Sequence, residues 1–231
     1  MLVARSGPEL ENVARELSSA HRIRAWPIPT DLSLPGASAT LVDRLERESL
    51  TIDFLVNNAG LGASGPFAVS DPRRIDEMLY VNMVAPTQLT RAILPGMLER
   101  RRGRILNVAS TAAFQPGPFM AVYYATKAYV LSFSEALASE VGGSGVTVTT
   151  LCPGPTRTGF GVEAGNQASR LMRGAMPVME SAVVARAGYR AMMRGQSLVI
   201  PGLVNRIQVL AVRLPPRRVV TGISRWLNVR T

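Results

Sequence analysis

Within the eighteen residues from 110 to 127 lie a hydroxyl, a phenol and an amine, carried by Ser110, Tyr123 and Lys127. Such a set can hold a substrate oxygen and move a proton to or from it. If the chain is helical from residue 120 onward, Tyr123 and Lys127 share a face, because residues four apart are neighbours on a helix. Lys127 is the sole lysine; the remainder of the 26 basic residues are arginine. An ammonium beside a phenol favours the phenolate and lowers its pKa, which brings proton transfer toward neutral pH. The competing account is a solvated helix position that happens to carry a lysine.

These residues need elements to position them. Strands are predicted over residues 2–4, 23–28, 52–56, 104–108, 146–151 and 197–200, with 52–56 expected to be buried. Helical spacing runs from Pro8 through Leu10, Val13, Ala14 and Leu17, and over residues 38–48, 72–100, 120–140 and 180–194. Residues 156–178 read as a loop. Strands alternating with helices imply a parallel sheet, and ligands of such sheets sit at the strands' carboxyl ends. Arg5, Asp31, Asn57, Ser110 and Pro153 all fall at those ends, which points to one cleft. Asn82 lies inside the helical region 72–100, with Pro86 four residues later. A helical proline has no N–H for the carbonyl four residues back, so the Asn82 carbonyl is free to accept from another donor, such as an ordered water. A tolerated kink with an incidental asparagine is the other reading.

The bulk numbers set limits. A chain of 231 residues, 47% apolar and 18% charged, suits one globular domain. One cysteine excludes an internal disulfide framework and fits a reducing cytoplasm. With one histidine beside it, a zinc site is not expected, nor any other metal. No signal peptide or membrane-spanning run is expected. The net charge of +10 is uneven: residues 151–231 hold twelve arginines and two acids, the last being Glu180. That bias suggests an anionic partner.

Together, Asp31, the run Asn57-Asn58-Ala59-Gly60, Asn82, Ser110, Tyr123-x-x-x-Lys127 and Pro153-Gly154 with Thr156 and Thr158 resemble the short-chain dehydrogenase/reductase family. A lone Tyr-x-x-x-Lys is a weak signal; the ordered set is specific. The resemblance implies a Rossmann-like doubly wound parallel sheet in a three-layer α/β/α arrangement. It implies an oxidoreductase interconverting a carbonyl and a secondary alcohol, with hydride from a nicotinamide cofactor. By resemblance, Tyr123 is the general acid/base, and Lys127 lowers its pKa and holds the nicotinamide ribose. Ser110 steadies charge on the substrate oxygen, and the Asn82 carbonyl holds a proton-relay water. Asp31 and Leu32 would meet the adenine, Asn57, Asn58, Ala59 and Gly60 would line the adenosine side, and Pro153, Gly154, Thr156 and Thr158 would border the nicotinamide. Arg5 stands where NADP-preferring members place a basic residue against the 2′-phosphate, so NADP(H) is favoured over NAD(H). A solvated turn arginine is the alternative.

One departure is large. The family opens with a strand and a Thr-Gly-x-x-x-Gly-x-Gly turn that lets backbone approach a pyrophosphate, and this chain begins at the family's second strand. Two readings follow. One is an N-terminally shortened form of an intact enzyme; the other is a true short form that pairs its strands differently and binds cofactor weakly or not at all. The second makes the protein a non-catalytic scaffold or regulator.

Residues 1–201 are expected to form the incomplete Rossmann-type domain and 202–231 an amphipathic, arginine-rich tail of it. Leu203, Ile207, Leu210 and Leu214 make one helical stripe, Pro215-Pro216 breaks it, and Val219, Val220, Ile223, Trp226 and Leu227 follow. Arginines, no acids and a tryptophan fit a helix lying peripherally on an anionic membrane. Packing on its own domain, or on a second subunit of a homo-oligomer as is common in the family, fits equally. Nucleic acid is not expected, because aromatic stacking platforms are scarce. The substrate expected is an apolar small-molecule ketone, such as a 3-oxoacyl chain or a steroid-like ketone.

Overall fold

A computed structural model describes residues 1–229, the side chains of Met172 and Ala175 apart. In chain order the elements are β1 (Leu2–Ala4), α1 (Gly7–His21), β2 (Pro27–Pro29), α2 (Ala37–Arg47) and β3 (Phe54–Asn57). Then α3 (Pro72–Leu79) runs through a π turn (Tyr80–Val84) into α4 (Ala85–Glu99), followed by β4 (Gly103–Val108), α5 (Ala121–Glu140) and β5 (Val146–Leu151). The chain ends with β6 (Thr156–Arg157), α6 (Phe160–Glu163), β7 (Met179–Glu180), α7 (Ser181–Met193), β8 (Leu198–Val199), α8 (Leu203–Ala211) and α9 (Arg217–Asn228).

Side-chain alternation along β4 sets the layers. Ile105 clusters with Met97 of α4, Val141 at the end of α5, and Val146 and Val148 of β5. Its neighbour Leu106 clusters instead with Leu151 and with Val184 and Met192 of α7. Successive strand side chains point to opposite faces, so α4 and α5 cover one face of the sheet and α7 the other. Met97 and Ile105 are fully buried, each contributing roughly 1.5–3 kcal/mol. Helix starts follow local chemistry: Asp71 caps α3 by accepting from the Arg73 N–H at 3.0 Å, with Pro72 at the first helical position.

All strand pairs are parallel, and the main sheet has the order β3-β4-β5-β8. β1 and β2 form a separate parallel pair. Between β1 and β3 lies a cavity of about 690 Å³, bounded by Met1, Val3 and Ala4 on one side and by Phe54, Leu55 and Val56 on the other. Among the described residues, each of these two strands is paired along one edge. This corrects the expectation of burial over residues 52–56: Phe54 and Val56 are 48% and 49% exposed, because the flank beside them is open.

Other expectations also shift. The strand expected over 23–28 shrinks to Pro27–Pro29, since α1 ends at Arg22 in a left-handed turn and prolines limit the ladder. Residues 156–178, expected as loop, contain β6, α6 and a π turn at Leu171–Ala175. Here β6 is tied in parallel to β7, a pairing with a partner more than twenty residues away that local spacing does not reveal. Asn82 falls inside the π turn rather than an ordinary helix; such turns arise where the i→i−4 ladder is interrupted, and Pro86 interrupts it. The predicted tail forms α8 and α9, its last two residues lying outside the described residues. No helix among the described residues is long and apolar enough to cross a membrane.

Candidate active site

The carboxyl ends of β3, β4 and β5 open into a cavity of about 950 Å³ that Ser110, Tyr123, Lys127 and Pro153 all line. Ser110 stands just past β4 and caps the short 3-10 turn Thr111–Phe114, accepting from the Ala112 N–H at 3.1 Å. Its hydroxyl donates toward the Pro153 carbonyl at 3.4 Å, and Pro153 also accepts from the Thr111 N–H at 2.9 Å. The ends of β4 and β5 are thereby joined at Ser110.

Tyr123 and Lys127 share a face of α5, as their spacing predicted. The Lys127 ammonium donates to the Val108 carbonyl at 2.8 Å and lies 5.8 Å from the Tyr123 ring centroid. Lys127 is buried, and loss of water brings its pKa down to about 8. Tyr123 packs against Phe160, with ring centroids 5.1 Å apart. Desolvation pushes its phenol up to about 12, against an opposing hydrogen bond from Ser110. Burial thus raises this phenol where a lowering by Lys127 was expected, with the Ser110 bond opposing it.

Asn82 is fully buried and held on three sides. Its side-chain Oδ1 accepts from the Leu61 N–H at 2.8 Å, and its Nδ2 donates to the Leu61 carbonyl and to Thr126 Oγ1, each at 2.9 Å. Thr126 Oγ1 donates in turn to the Tyr123 carbonyl at 2.7 Å. Asn82 thus clamps the segment after Asn57-Asn58-Ala59-Gly60 to the turn of α5 that carries Tyr123. Gly60 comes close enough that an added Cβ would stand 3.4 Å from Lys127 Nζ and 3.6 Å from Asn82 Oδ1. A side chain there would intrude on the space above the ammonium.

The remaining candidates divide. Asn58, Ala59 and Gly60 border both cavities. The Asn57 side chain turns inward instead, donating to Asn107 Oδ1 at 2.8 Å, and Asn107 donates to Ser134 at 2.8 Å. That side chain supports the sheet, and Asn57 also borders the β1–β3 cavity. Asp31 accepts from the Ser33 N–H at 2.9 Å and from its hydroxyl at 2.6 Å. Burial raises its pKa, but these bonds and Arg5 outweigh it and hold the carboxyl below its ordinary value. Leu32 packs with Leu61, Met78 and Val81. Arg5, at the end of β1, pairs with Glu163 at 3.3 Å across the cleft. Thr156 donates to the Gly154 carbonyl at 2.9 Å, and Thr158 caps α6 by accepting from the Phe160 N–H at 3.2 Å.

Several residues at the site escape sequence reasoning. Arg74 of α3 donates to the Gly62 carbonyl at 3.2 Å and to Glu163 Oε1 at 3.1 Å, tying α6 to the glycine segment. Phe160 walls Tyr123, and Leu227 of α9 and Gln208 of α8 complete the cavity. Asn166 Oδ1 and Gln208 Oε1 are buried without a hydrogen-bond partner among the described residues. These residues meet the site from elements far apart in the sequence, as Arg74 and Glu163 do across 89 residues, and no local pattern marks them.

The residues fit one end of a nicotinamide dinucleotide better than the other. Around Lys127 there is a buried ammonium with one donor used, a glycine that leaves room beside it, and Pro153, Gly154 and Thr156 at the rim. Arg5, Asp31 and Leu32, the candidates for the adenine end, line the space between β1 and β3, which carries no phosphate-cradling loop among the described residues.

A profile described as short chain dehydrogenase matches residues 1–169. A short chain dehydrogenase of Pseudocercospora fijiensis is 36% identical over 173 residues, covering 73% of this chain and 55% of that protein. The very-long-chain 3-oxoacyl-CoA reductase of Anas platyrhynchos is 35% identical over 158 residues, covering 66% of this chain and 50% of that protein. The chain spans about half the length of these curated relatives. The solved structure of a short-chain dehydrogenase from Sphingobium yanoikuyae in complex with NADPH aligns with a TM-score of 0.81 at 31% identity, over 92% of this chain and 82% of that one.

Proposed function

The chain belongs to the short-chain dehydrogenase family, and from that premise we propose that it serves NADP(H)-dependent interconversion of an apolar ketone and its secondary alcohol. The observation that carries this reading is the convergence of Ser110, Tyr123 and Lys127 on one cavity at the ends of β4 and β5. The bound cofactor would supply the hydride.

In this reading Ser110 and Tyr123 hold the substrate oxygen. Tyr123, its phenol pushed up to about 12, is protonated at neutral pH and suited to donate to the oxygen of a ketone undergoing reduction. Lys127 holds the ribose hydroxyls with the N–H groups that Val108 leaves over. The Asn82 main-chain carbonyl, in the π turn, anchors the water that resupplies the proton. Asn58, Ala59 and Gly60 line the adenosine side, with Asp31 and Leu32 at the adenine, while Pro153, Gly154, Thr156 and Thr158 border the nicotinamide. Arg5 would exchange Glu163 for the 2′-phosphate, which underlies the preference for NADP(H). The apolar wall of Phe160, Met120 and Leu227 suits a ketone such as a 3-oxoacyl or steroid-like compound. A cytoplasmic setting suits the free thiol of Cys152, and a homo-oligomer belongs to the same proposal.

The opening between β1 and β3 favours a second reading, in which the chain is a scaffold with a relic site. An NADPH titration of the purified chain, read by cofactor fluorescence and thermal shift and followed by a ketone assay, separates the two. Saturable binding with turnover supports the enzyme; a folded chain that binds no NADPH supports the scaffold.

A further inference from the structure

The two C-terminal helices are amphipathic, with an apolar side turned away from the domain. On α8, the residues facing outward are Leu203, Ile207 and Leu210, at 71%, 57% and 62% exposure, while Asn205 is buried at 3%. Asn205 is held by the Pro201 carbonyl at 2.7 Å, and Gly154 packs so closely against it that a Cβ there would stand 2.2 Å from Asn205 Oδ1. On α9, Val219, Ile223 and Trp226 are about half exposed, at 49%, 55% and 54%, while Ser224 and Asn228 are buried. Asn228 accepts from the Tyr124 hydroxyl at 3.2 Å and donates to the Pro118 carbonyl at 3.0 Å. Polar anchors thus fix both helices to the domain, and each turns an apolar stripe to the outside.

Arginines accompany both stripes. Arg206, Arg213, Arg217, Arg218 and Arg225 are all exposed, and no acid follows Glu180 in the sequence. We infer that α8 and α9 form a docking surface for an anionic lipid bilayer, with the stripes seated among the acyl chains and the arginines on the headgroup phosphates. Arginine stems can lie along apolar surface while their guanidiniums reach the headgroups. Charge selects this occupant over a second copy of the same face, because face-to-face pairing would bring two acid-free arginine clusters together. The inner sides of the same helices supply Gln208 and Leu227 to the catalytic cavity. Docking would therefore set a wall of that cavity next to the lipid phase, a placement suited to an apolar, lipid-derived substrate. This last step alone rests on the enzymatic reading; docking does not.

The test is flotation with vesicles of phosphatidylcholine and phosphatidylglycerol in equal parts, against phosphatidylcholine alone. The full chain should float with the anionic vesicles only, and a Trp26→Phe background should show a blue shift of Trp226 emission on binding. Ile207→Gln with Leu210→Gln, both at exposed positions, should keep the melting temperature and abolish flotation. Each arginine changed to glutamine should weaken partitioning about fivefold. Tyr123→Phe should float as the parent does, which keeps a failure of docking distinct from a failure of the enzymatic reading. No flotation would overturn the inference. Flotation unchanged in the Ile207/Leu210 variant would also overturn it, since headgroup attraction alone would then suffice. A dimer lost in that variant, without flotation, would assign the face to a second copy.

Discussion

The two cavities on either side of Gly60 are built differently. The cavity proposed as catalytic rests on β4 and β5, paired over six residues, and its candidate groups are locked from behind. Asn82 is clamped to Leu61 and Thr126, Lys127 to Val108, and Ser110 to the turn after β5. The cavity between β1 and β3 rests on strands of three and four residues that share no ladder. Its functional groups are satisfied locally or at the surface: Asp31 by its own turn, and Arg5 by a pair in which both partners are about half exposed. Proton-handling geometry needs one helix and two adjacent strand ends. Dinucleotide geometry needs the sheet continuous through the β1–β3 junction. Under the proposed function, an interruption there spares the first and weakens the second.

The sharpest way to probe this asymmetry is Tyr123→Phe. Removing the phenol should lower turnover by about 10²–10⁴-fold while NADPH affinity stays the same; retained turnover would break the assignment. Ser110→Ala should cost on the order of 10²-fold in kcat, with KM for the ketone rising less. A loss confined to KM would make Ser110 a binding group only.

Lys127 gives a stability test of the locked half. Its folded-state pKa of about 8 lies below the ordinary 10.5. Below pH 8 the lysine is charged in both states, and the folded chain carries the cost of burying that charge. Between about 8 and 10.5 the folded state sheds its proton first, so this cost fades as pH rises. Lys127→Met should therefore stabilise the cofactor-free chain near neutral pH by up to about 3 kcal/mol. The gain should vanish by about pH 10.5 in urea unfolding. A gain independent of pH would mean that packing, not charge, is responsible.

The smallest effect belongs to the open half. Glu163→Gln frees Arg5 from a half-exposed pair, so NADPH should bind tighter by less than about fivefold, with NADH unchanged. Equal effects on both dinucleotides would remove Arg5 from the 2′-phosphate.

Much of what brings Ser110, Tyr123 and Lys127 to one cavity was legible in the sequence. Tyr123 and Lys127 four apart, Ser110 after an apolar run, and Pro86 four residues beyond Asn82 are local patterns with local causes. The sequence also carried the arginine-rich, acid-free character of the C-terminus. It did not tell that the π turn would widen at Asn82, or that the Asn57 side chain would join a buried Asn107–Ser134 chain. Those outcomes depend on which buried donors meet which acceptors across dozens of residues.

Periodicity and residue chemistry by themselves determined the alternation of strands and helices, the face shared by Tyr123 and Lys127, and the apolar and arginine-rich character of the C-terminus. Tertiary structure alone decided the rest. It set the phenol high by desolvation, joined Arg74 and Arg5 to Glu163, opened the flank of Phe54 and Val56, and turned the stripe of α8 outward. Spacing fixes which side chains share a face, but not which face is covered. That is settled only when buried polar groups such as Asn205 and Asn228 find their partners in the folded chain.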